Sequence, residues 1–376
     1  MLVERRWKRD IDWALIGAVL ALALLSLLTI ASATQALSSG DFSFVQRQAL
    51  FVGLGIVAAA VAVTVDYSDL LKFSRFIYVG NLCLLASVLA WGRSSLGAQR
   101  WLELGPIALQ PSELSKIGVV ITLAAALVRR EEEEKGWMTI VSGMLHVAPL
   151  TILVLKQPDL GTSLVFLAIA FGMFFVAGVP TRHLVLSLGL GLGGAVGATV
   201  AHFRWGLPLP LKDYQLKRLL VFVNPGLDPL GAGYHIRQSM IAVGSGKLFG
   251  KGLFAGTQNQ LRFLPFRHTD FIFSVVGEEL GFAGSMVVLL LFAFIIWRGL
   301  RIAAAARDAF GALIAAGVVS MLAFNILVNV GMTVGVMPVT GIPLPFMSYG
   351  GSSLLTNMVG VGLMLNVHLR RHRILF

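Results

Sequence analysis

Charged residues are scarce in this sequence. They fill 13% of its 376 positions, against 56% that are hydrophobic. Soluble globular chains carry about 25% charged residues and about 45–50% apolar ones, so an ordinary soluble enzyme is excluded. Cysteine is nearly absent. A lone Cys83 cannot form an intramolecular disulfide, and no CxxC pair exists to bind zinc. Set inside an apolar run, it reads as a small packed hydrophobe. The seven histidines show no HExxH or other local metal-ligand spacing. Acidic residues are outnumbered, 19 against 30 basic, for a net charge of +11. In a soluble domain that excess would suggest nucleic acid as a partner; the apolar runs described next exclude that. The first apolar run is expected to be a retained helix rather than a cleavable leader. The basic start MLVERRWKRD runs into an apolar stretch longer than a signal-peptide core, without a small-residue cleavage site.

What the sequence has instead is apolar runs of about 20 residues, the length that crosses a bilayer as a helix, and a mean hydropathy of +0.81. The runs predict an all-α polytopic membrane protein of about ten transmembrane helices, forming one domain over residues 1–376. The expected spans are 13–34, 48–65, 73–92, 110–128, 138–156, 160–178, 183–201, 271–297, 309–333 and 347–367, with a large structured loop over 203–269. Basic residues of short loops favour the cytoplasmic side. With the N-terminus inside, the inner segments hold Arg5, Arg6, Lys8, Arg9, Lys72, Arg75, Arg129, Arg130, Lys135, Arg182, Arg298, Arg301, Arg307, Arg370, Arg371 and Arg373, sixteen of the 30 basic residues, while the short outer loops hold only Arg93 and Arg100. Both termini are therefore expected in the cytoplasm and the 203–269 loop outside. Glu131–Glu134 reads as a solvated inner loop.

Two glycine patterns mislead. Gly189, Gly191 and Gly194 match GxGxxG but lie in a membrane span with no preceding strand, which a dinucleotide site requires. Gly189, Gly193 and Gly197, spaced by four, predict close helix packing instead. GSGKLFGKG lacks P-loop spacing.

Ionisable residues in or beside spans are costly and point to function. Arg47 stands at the outer end of the second span. Glu113 and Lys116, three apart, share a helix face and can pair. Lys156 and Asp159 flank Pro158 at a helix turn. Asp270, Glu278 and Glu279 open the eighth span. All are expected near the outer side, around one cavity. Structural readings stand beside these: a plain ion pair for Glu113–Lys116, helix caps for Asp159 and Asp270, and bundle packing for one of Glu278 and Glu279, since helix neighbours point apart. The 203–269 loop is basic, with Arg218 and Arg267 among others, and suits an anionic group such as a pyrophosphate; generic attraction to anionic headgroups is the alternative. Within it YHIRQSMIAVG predicts a short amphipathic interfacial helix. GVMPVTGIPLPFMSYGGSS is too rich in Gly and Pro to be helical throughout, and at membrane depth such backbone must be buried or line a cavity. Ser348, Tyr349, Ser352 and Ser353 there offer hydroxyls to a sugar, or belong to a rigid tight loop.

These motifs together resemble the SEDS family (shape, elongation, division and sporulation). The resemblance is carried, in family order and from end to end, by KRDIDW, GAQRWLELGPIALQPSELSK, KQPDLGTSLV, NPGLDPLGAGYHIRQSMIAVGSGKLFGKGL, GTQNQLRFLP, RHTDFIFSVVGEELGF and MPVTGIPLPFMSYGGSSLL. The GTQ and RHTDFIF forms are similar to the elongation branch rather than the division branch. The resemblance implies a peptidoglycan glycosyltransferase that polymerises lipid II at the outer face of the cytoplasmic (inner) membrane. The implied partners are undecaprenyl-pyrophosphate-linked glycan, a class B penicillin-binding transpeptidase and other elongation-complex membrane proteins. It also implies that Asp270 matches the family's essential aspartate, and that Arg47, Glu113, Lys116 and Asp159 match polar cavity positions. Arg100, Arg218, Arg267 and Ser348 complete the expected substrate-binding set. Asp270 is the expected general base, or else a ligand of a divalent cation such as Mg or Mn; the residues leave both open. A lipid II flippase and a non-catalytic scaffold for the transpeptidase are the competing readings.

Overall fold

The computed structural model describes residues 10–38, 42–95, 98–104, 107–130, 135–206, 208, 213–229 and 231–371. Glu131–Glu134, the basic residues before Asp10, and Arg373 lie outside the described residues. Ten apolar helices run through the described residues. They are α1 (Trp13–Ser38), α2 (Ser43–Thr64), α3 (Tyr67–Trp91), α4 (Pro111–Val128), α5 (Trp137–Lys156), α6 (Leu160–Val176), α7 (Thr181–Trp205), α11 (Ile272–Ala304), α12 (Ala309–Thr333) and α13 (Gly351–Leu369). Nine of these are long and apolar enough to cross a membrane; the tenth, α6, is a shorter apolar helix. The chain is an all-α, multi-pass membrane protein. Between α7 and α11 lie α8 (Asp213–Val223), α9 (Ala232–Ser245) and α10 (Thr257–Gln260).

The core forms around α4, α6 and α12, whose buried faces include Val120, Phe166, Ile169, Ile314 and Met321. Glycines set the closest approaches. A Cβ on Gly362 would lie 2.6 Å from the Ala59 carbonyl oxygen, and one on Gly317 2.9 Å from Val120. Small residues allow such backbone approach where lipid supplies no hydrophobic drive between helices. The stripe on α7 behaves differently. Gly189, Gly193 and Gly197 have nothing within 4 Å of an added Cβ, so the packing expected there is not made among the described residues.

The loop over 93–109 departs from the all-helical expectation. It forms β1 (Arg93–Ser95), β2 (Ala98–Leu104) and β3 (Ile107–Leu109), an antiparallel meander in the order β1-β2-β3. Alternation in RWLEL and the Leu-Gly and Gly-Pro pairs between the strands are the sequence signal for it.

α11 is two helices joined across Gly281, which has φ 67° and ψ −164°. In an unbroken helix the N–H groups of Phe282 and Ala283 would donate to the carbonyls of Glu278 and Glu279. Here they donate to Lys247 and Leu248, while Lys251 and Gly252 donate to Glu278 and Glu279. The freed backbone groups are thus re-satisfied by the loop, as buried polar backbone must be. The fit leaves no room for side chains: a Cβ on Gly281 would lie 2.2 Å from the Gly250 nitrogen, and one on Gly250 2.1 Å from the Glu279 oxygen. This accounts for Gly246 and Gly250 in VGSGKLFGKG, where a Cβ would meet the Gly277 and Glu279 carbonyls.

Glu278 and Glu279 point apart as helix neighbours do, yet both bond the returning loop, and Glu279 also packs against α1. Glu278 accepts from Lys251 Nζ at 2.7 Å and the Gln258 N–H at 2.9 Å. Glu279 accepts from Ser32 Oγ at 2.6 Å and Asn259 Nδ2 at 3.0 Å. The loop folds back over their helix, so two neighbouring side chains meet one segment.

Candidate active site

Asp270 sits two residues before α11 begins. Its carboxylate caps nothing in that helix, whose N-cap is Phe271 with no side-chain capping bond. Instead the backbone around it is held at three successive carbonyls. The Tyr349 N–H donates to His268 at 2.8 Å, Ser348 Oγ to Thr269 at 2.6 Å, and Asn329 Nδ2 to Asp270 at 2.9 Å. Asn329 also donates to the Ile342 carbonyl at 2.8 Å. One buried amide on α12 therefore ties the Asp270 strand to the 334–350 loop, which is non-helical as its Gly and Pro content predicts.

Gly341 faces this point with φ +76°. A Cβ there would lie 3.5 Å from Asp270 Oδ2 and 3.8 Å from Arg218 Nη1, so carboxylate and guanidinium approach the same small space. Arg218 comes from α8 and donates to the Val339 carbonyl at 3.5 Å. Arg100 comes from β2. It donates to the carbonyls of Gln157, at 3.3 Å, and Pro158. The meander thus carries Arg100 to the α5–α6 turn. Arg100, Arg218, Gln215, Pro158 and Thr340 line a cavity of about 40 Å³. Burial pushes the Asp270 carboxyl above the usual aspartate range, and the charges of Arg218 and Arg100 pull it back in part.

Asp159 follows Pro158, which lines this cavity. It caps α6 through the Thr162 N–H at 3.2 Å and also accepts from Ser112 Oγ at 3.2 Å and Gln110 Nε2 at 3.3 Å. It is therefore a cap that also binds α4 to α6. Glu113 and Lys116 pair at 2.7 Å and are almost fully buried; neither lines the cavity.

Other expected residues stand apart. Arg47 is exposed on α2, and the neighbouring Gln48 is the buried one, donating to the Ser348 carbonyl at 3.3 Å. Arg267 is buried and donates to the carbonyls of Ala33 at 2.7 Å and Asn259 at 2.6 Å, so it fastens the loop to α1. Ser348 both donates to Thr269 and accepts from the Leu344 N–H at 2.8 Å, which occupies the hydroxyl expected to meet a sugar. Ser352 Oγ accepts from the Gln110 N–H at 2.9 Å. Lys156 is exposed. The charged neighbours of Asp270 are guanidinium groups, and among the described residues no three His, Cys, Asp or Glu side chains are grouped to hold a metal ion. This donor set does not fit a cation held by protein ligands. A larger cavity of about 360 Å³ lies between α3, α4 and α13, but its walls are mostly apolar and it shares no residue with the Asp270 site.

The chain matches the FtsW, RodA and SpoVE family of cell cycle proteins over residues 12–373. It belongs to that family, the SEDS family. It is 39% identical to the peptidoglycan glycosyltransferase MrdB of Escherichia coli (strain K12), covering 97% of this chain and 95% of that one. Among solved structures it resembles a chain from "Structural coordination of polymerization and crosslinking by a peptidoglycan synthase complex", with TM-score 0.81 and 34% identity over 96% of this chain and 99% of that one. A mutant form of the Thermus thermophilus Rod shape determining protein RodA aligns with TM-score 0.71 and 33% identity, covering 96% and 99%. Of the site residues expected for this SEDS protein, Arg218 and Arg100 are the ones whose charges reach Asp270. Sequence reasoning missed Asn329 and Gln48, uncharged polar residues inside spans, although a buried amide in an apolar helix needs partners and so marks a structural junction.

Proposed function

We propose that this chain is a peptidoglycan glycosyltransferase that polymerises lipid II into β-1,4 glycan strands at the outer face of the cytoplasmic membrane during cell elongation. The observation that carries the reading is the approach of Asp270 and Arg218 to one small space at Gly341, beside the cavity that Arg218 and Arg100 line, on a chain similar over nearly its whole length to named glycosyltransferases. The growing glycan on undecaprenyl pyrophosphate is the donor and lipid II the acceptor. The acceptor 4-hydroxyl oxygen bonds to the donor anomeric carbon as that carbon's bond to the pyrophosphate oxygen breaks. One displacement turns the α linkage into β.

Asp270 takes the hydroxyl proton. A carboxylate whose burial raises its proton affinity is a better base than a solvated one, and the adjacent guanidiniums keep it ionised. Arg218 and Arg100 meet the charge that develops on the leaving pyrophosphate. Asp159, Glu113 and Lys116 set the α4–α6 frame beneath. At about 40 Å³ the cavity holds about one water, so a sugar enters only when α8 or the 334–350 loop moves aside. A class B penicillin-binding transpeptidase is the proposed partner for that step, alongside other elongation-complex membrane proteins; the similar synthase-complex chain supports it. Flipping and scaffolding are less favoured, because neither needs a buried carboxylate within reach of two arginine charges.

The test is polymerisation of purified lipid II in detergent by this protein with its cognate transpeptidase, the transpeptidase's own activity blocked. Glycan strands are expected. Their absence, with lipid II translocated instead in vesicles, would move the assignment to transport.

A further inference from the structure

A second cavity, of about 280 Å³, lies at the opposite end of the bundle from Asp270. It is lined by Asp12 before α1, by Arg298 and Arg301 on α11, and by His368 and Arg371 at the end of α13. Asp12 pairs with Arg298 Nε at 2.8 Å and caps α1 through the Leu15 N–H at 3.1 Å. Arg371 donates to the His368 ring at 2.9 Å. Three guanidiniums face one carboxylate in the lining, and they remain in excess when Asp10, whose charge also reaches His368, is counted. None of these groups takes part in the chemistry proposed at Asp270.

Two tryptophans place this cavity at a membrane surface. Trp13 is 61% exposed and Trp297 is 47% exposed, and indoles concentrate at the headgroup level. The Trp297 ring also steadies the arginines: Arg301 lies 5.1 Å and Arg298 5.7 Å from its centroid. From the rim, apolar ridges lead into the bilayer. Trp13, Leu20, Leu24 and Leu28 are exposed along one face of α1, and Leu290 and Trp297 along one face of α11. Arginines at headgroup height, above two apolar ridges, fit an anionic head carrying acyl tails better than a free anion.

We propose that this cavity binds the phosphate of an anionic phospholipid from the leaflet at that end of the bundle, with the acyl chains lying along α1 and α11. Guanidinium forks suit phosphate oxygens, and basic pockets between membrane helices recognise such headgroups. The lipid would hold the first, eleventh and thirteenth helices together from below.

The proposal is tested by thermal unfolding of the full chain in nanodiscs of phosphatidylcholine, with and without phosphatidylglycerol, and in phosphatidylcholine discs with added inorganic phosphate. The wild type should gain melting temperature with phosphatidylglycerol and not with phosphate. Arg301→Gln combined with Arg371→Gln leaves the Asp12–Arg298 pair in place. It should melt like the wild type in phosphatidylcholine and bind phosphatidylglycerol about thirtyfold more weakly, losing most of the gain. If the double variant is itself unstable, Arg301→Gln alone, at an exposed residue, carries the comparison. Arg75→Gln with Arg182→Gln, basic residues outside the cavity, should keep the gain. Three results would overturn the proposal: an undiminished gain in the cavity variants, an equal loss in the outside variants, or a full gain from phosphate alone.

Discussion

His268, Thr269 and Asp270 each have the carbonyl oxygen held by a different donor: a loop N–H, a serine hydroxyl and a helix amide. These backbone bonds fix the segment, and the Thr269 hydroxyl and the charges of Arg218 and Arg100 act on the Asp270 carboxylate itself. Two consequences follow at the scale of single residues. First, the Asp270 carboxyl must be ionised to take a proton, so the rate should fall on the acid side as pH drops through its raised pKa. Arg218 lowers that pKa; Arg218→Gln should therefore move the acid limb of kcat/KM to higher pH, beyond any uniform loss from weaker pyrophosphate binding. A pH–rate profile with an unmoved limb would separate Arg218 from Asp270. Second, Asn329→Leu removes both amide bonds and leaves two buried carbonyls short of a donor. A loss of about 1–3 kcal/mol for each unsatisfied group is expected, read as a lower melting temperature together with reduced kcat. The place of Asp270 before an apolar run fitted a helix cap equally well, and the family resemblance singled it out. Asn329 was not legible, because nothing in one sequence says which carbonyls a buried amide will find.

Helices are where the sequence was most readable, and breaks where it was least. Apolar runs gave all ten helices, with α12 matching its expected span of 309–333. The interruption of α11 was invisible, because apolar residues continue through GEELGFAG on both sides of it. What makes the break stable is a distant segment, Lys247–Gly252, exchanging backbone hydrogen bonds with it. The two glutamates looked like cavity charges for the same reason: their partners lie in that returning loop. Gly281 is the residue with no substitute. Ala at φ +67° is strained by about 1–3 kcal/mol, and its methyl would overlap the Gly250 nitrogen. Gly281→Ala should destabilise the protein by at least about 2 kcal/mol, whereas Gly191→Ala, with open space around it, should change little. Equal melting temperatures for the two variants would show that the join at α11 is not tight. The strands of 93–109 were legible in principle but lay in a loop read only for its charges.

Across the whole molecule, positive charge divides by end. Arg298, Arg301, Arg371 and Asp12 gather at one end of the bundle, and Asp270, Arg218 and Arg100 at the other. In the proposed topology the first group faces the cytoplasm, as the positive-inside rule favours. Cys83 is the one cysteine, so a Cys83→Ser background permits single labels. Leu261→Cys should react with a membrane-impermeant maleimide in intact cells, and Ala305→Cys only after lysis. The reverse pattern would turn the site inward and exclude an outer-face polymerase.

The most direct measurement is lipid II polymerisation by Asp270→Asn beside the wild type, in the presence of the blocked transpeptidase. The substitution keeps shape and removes the proton acceptor. Because burial raises the Asp270 pKa, its ionised form disfavours the folded state as pH rises through that value. The Asn variant should therefore melt no lower than wild type at neutral pH, with Arg218 still in place. A folded variant that makes no glycan strands is the predicted result. Strands made at the wild-type rate would remove Asp270 from the reaction centre and contradict the account.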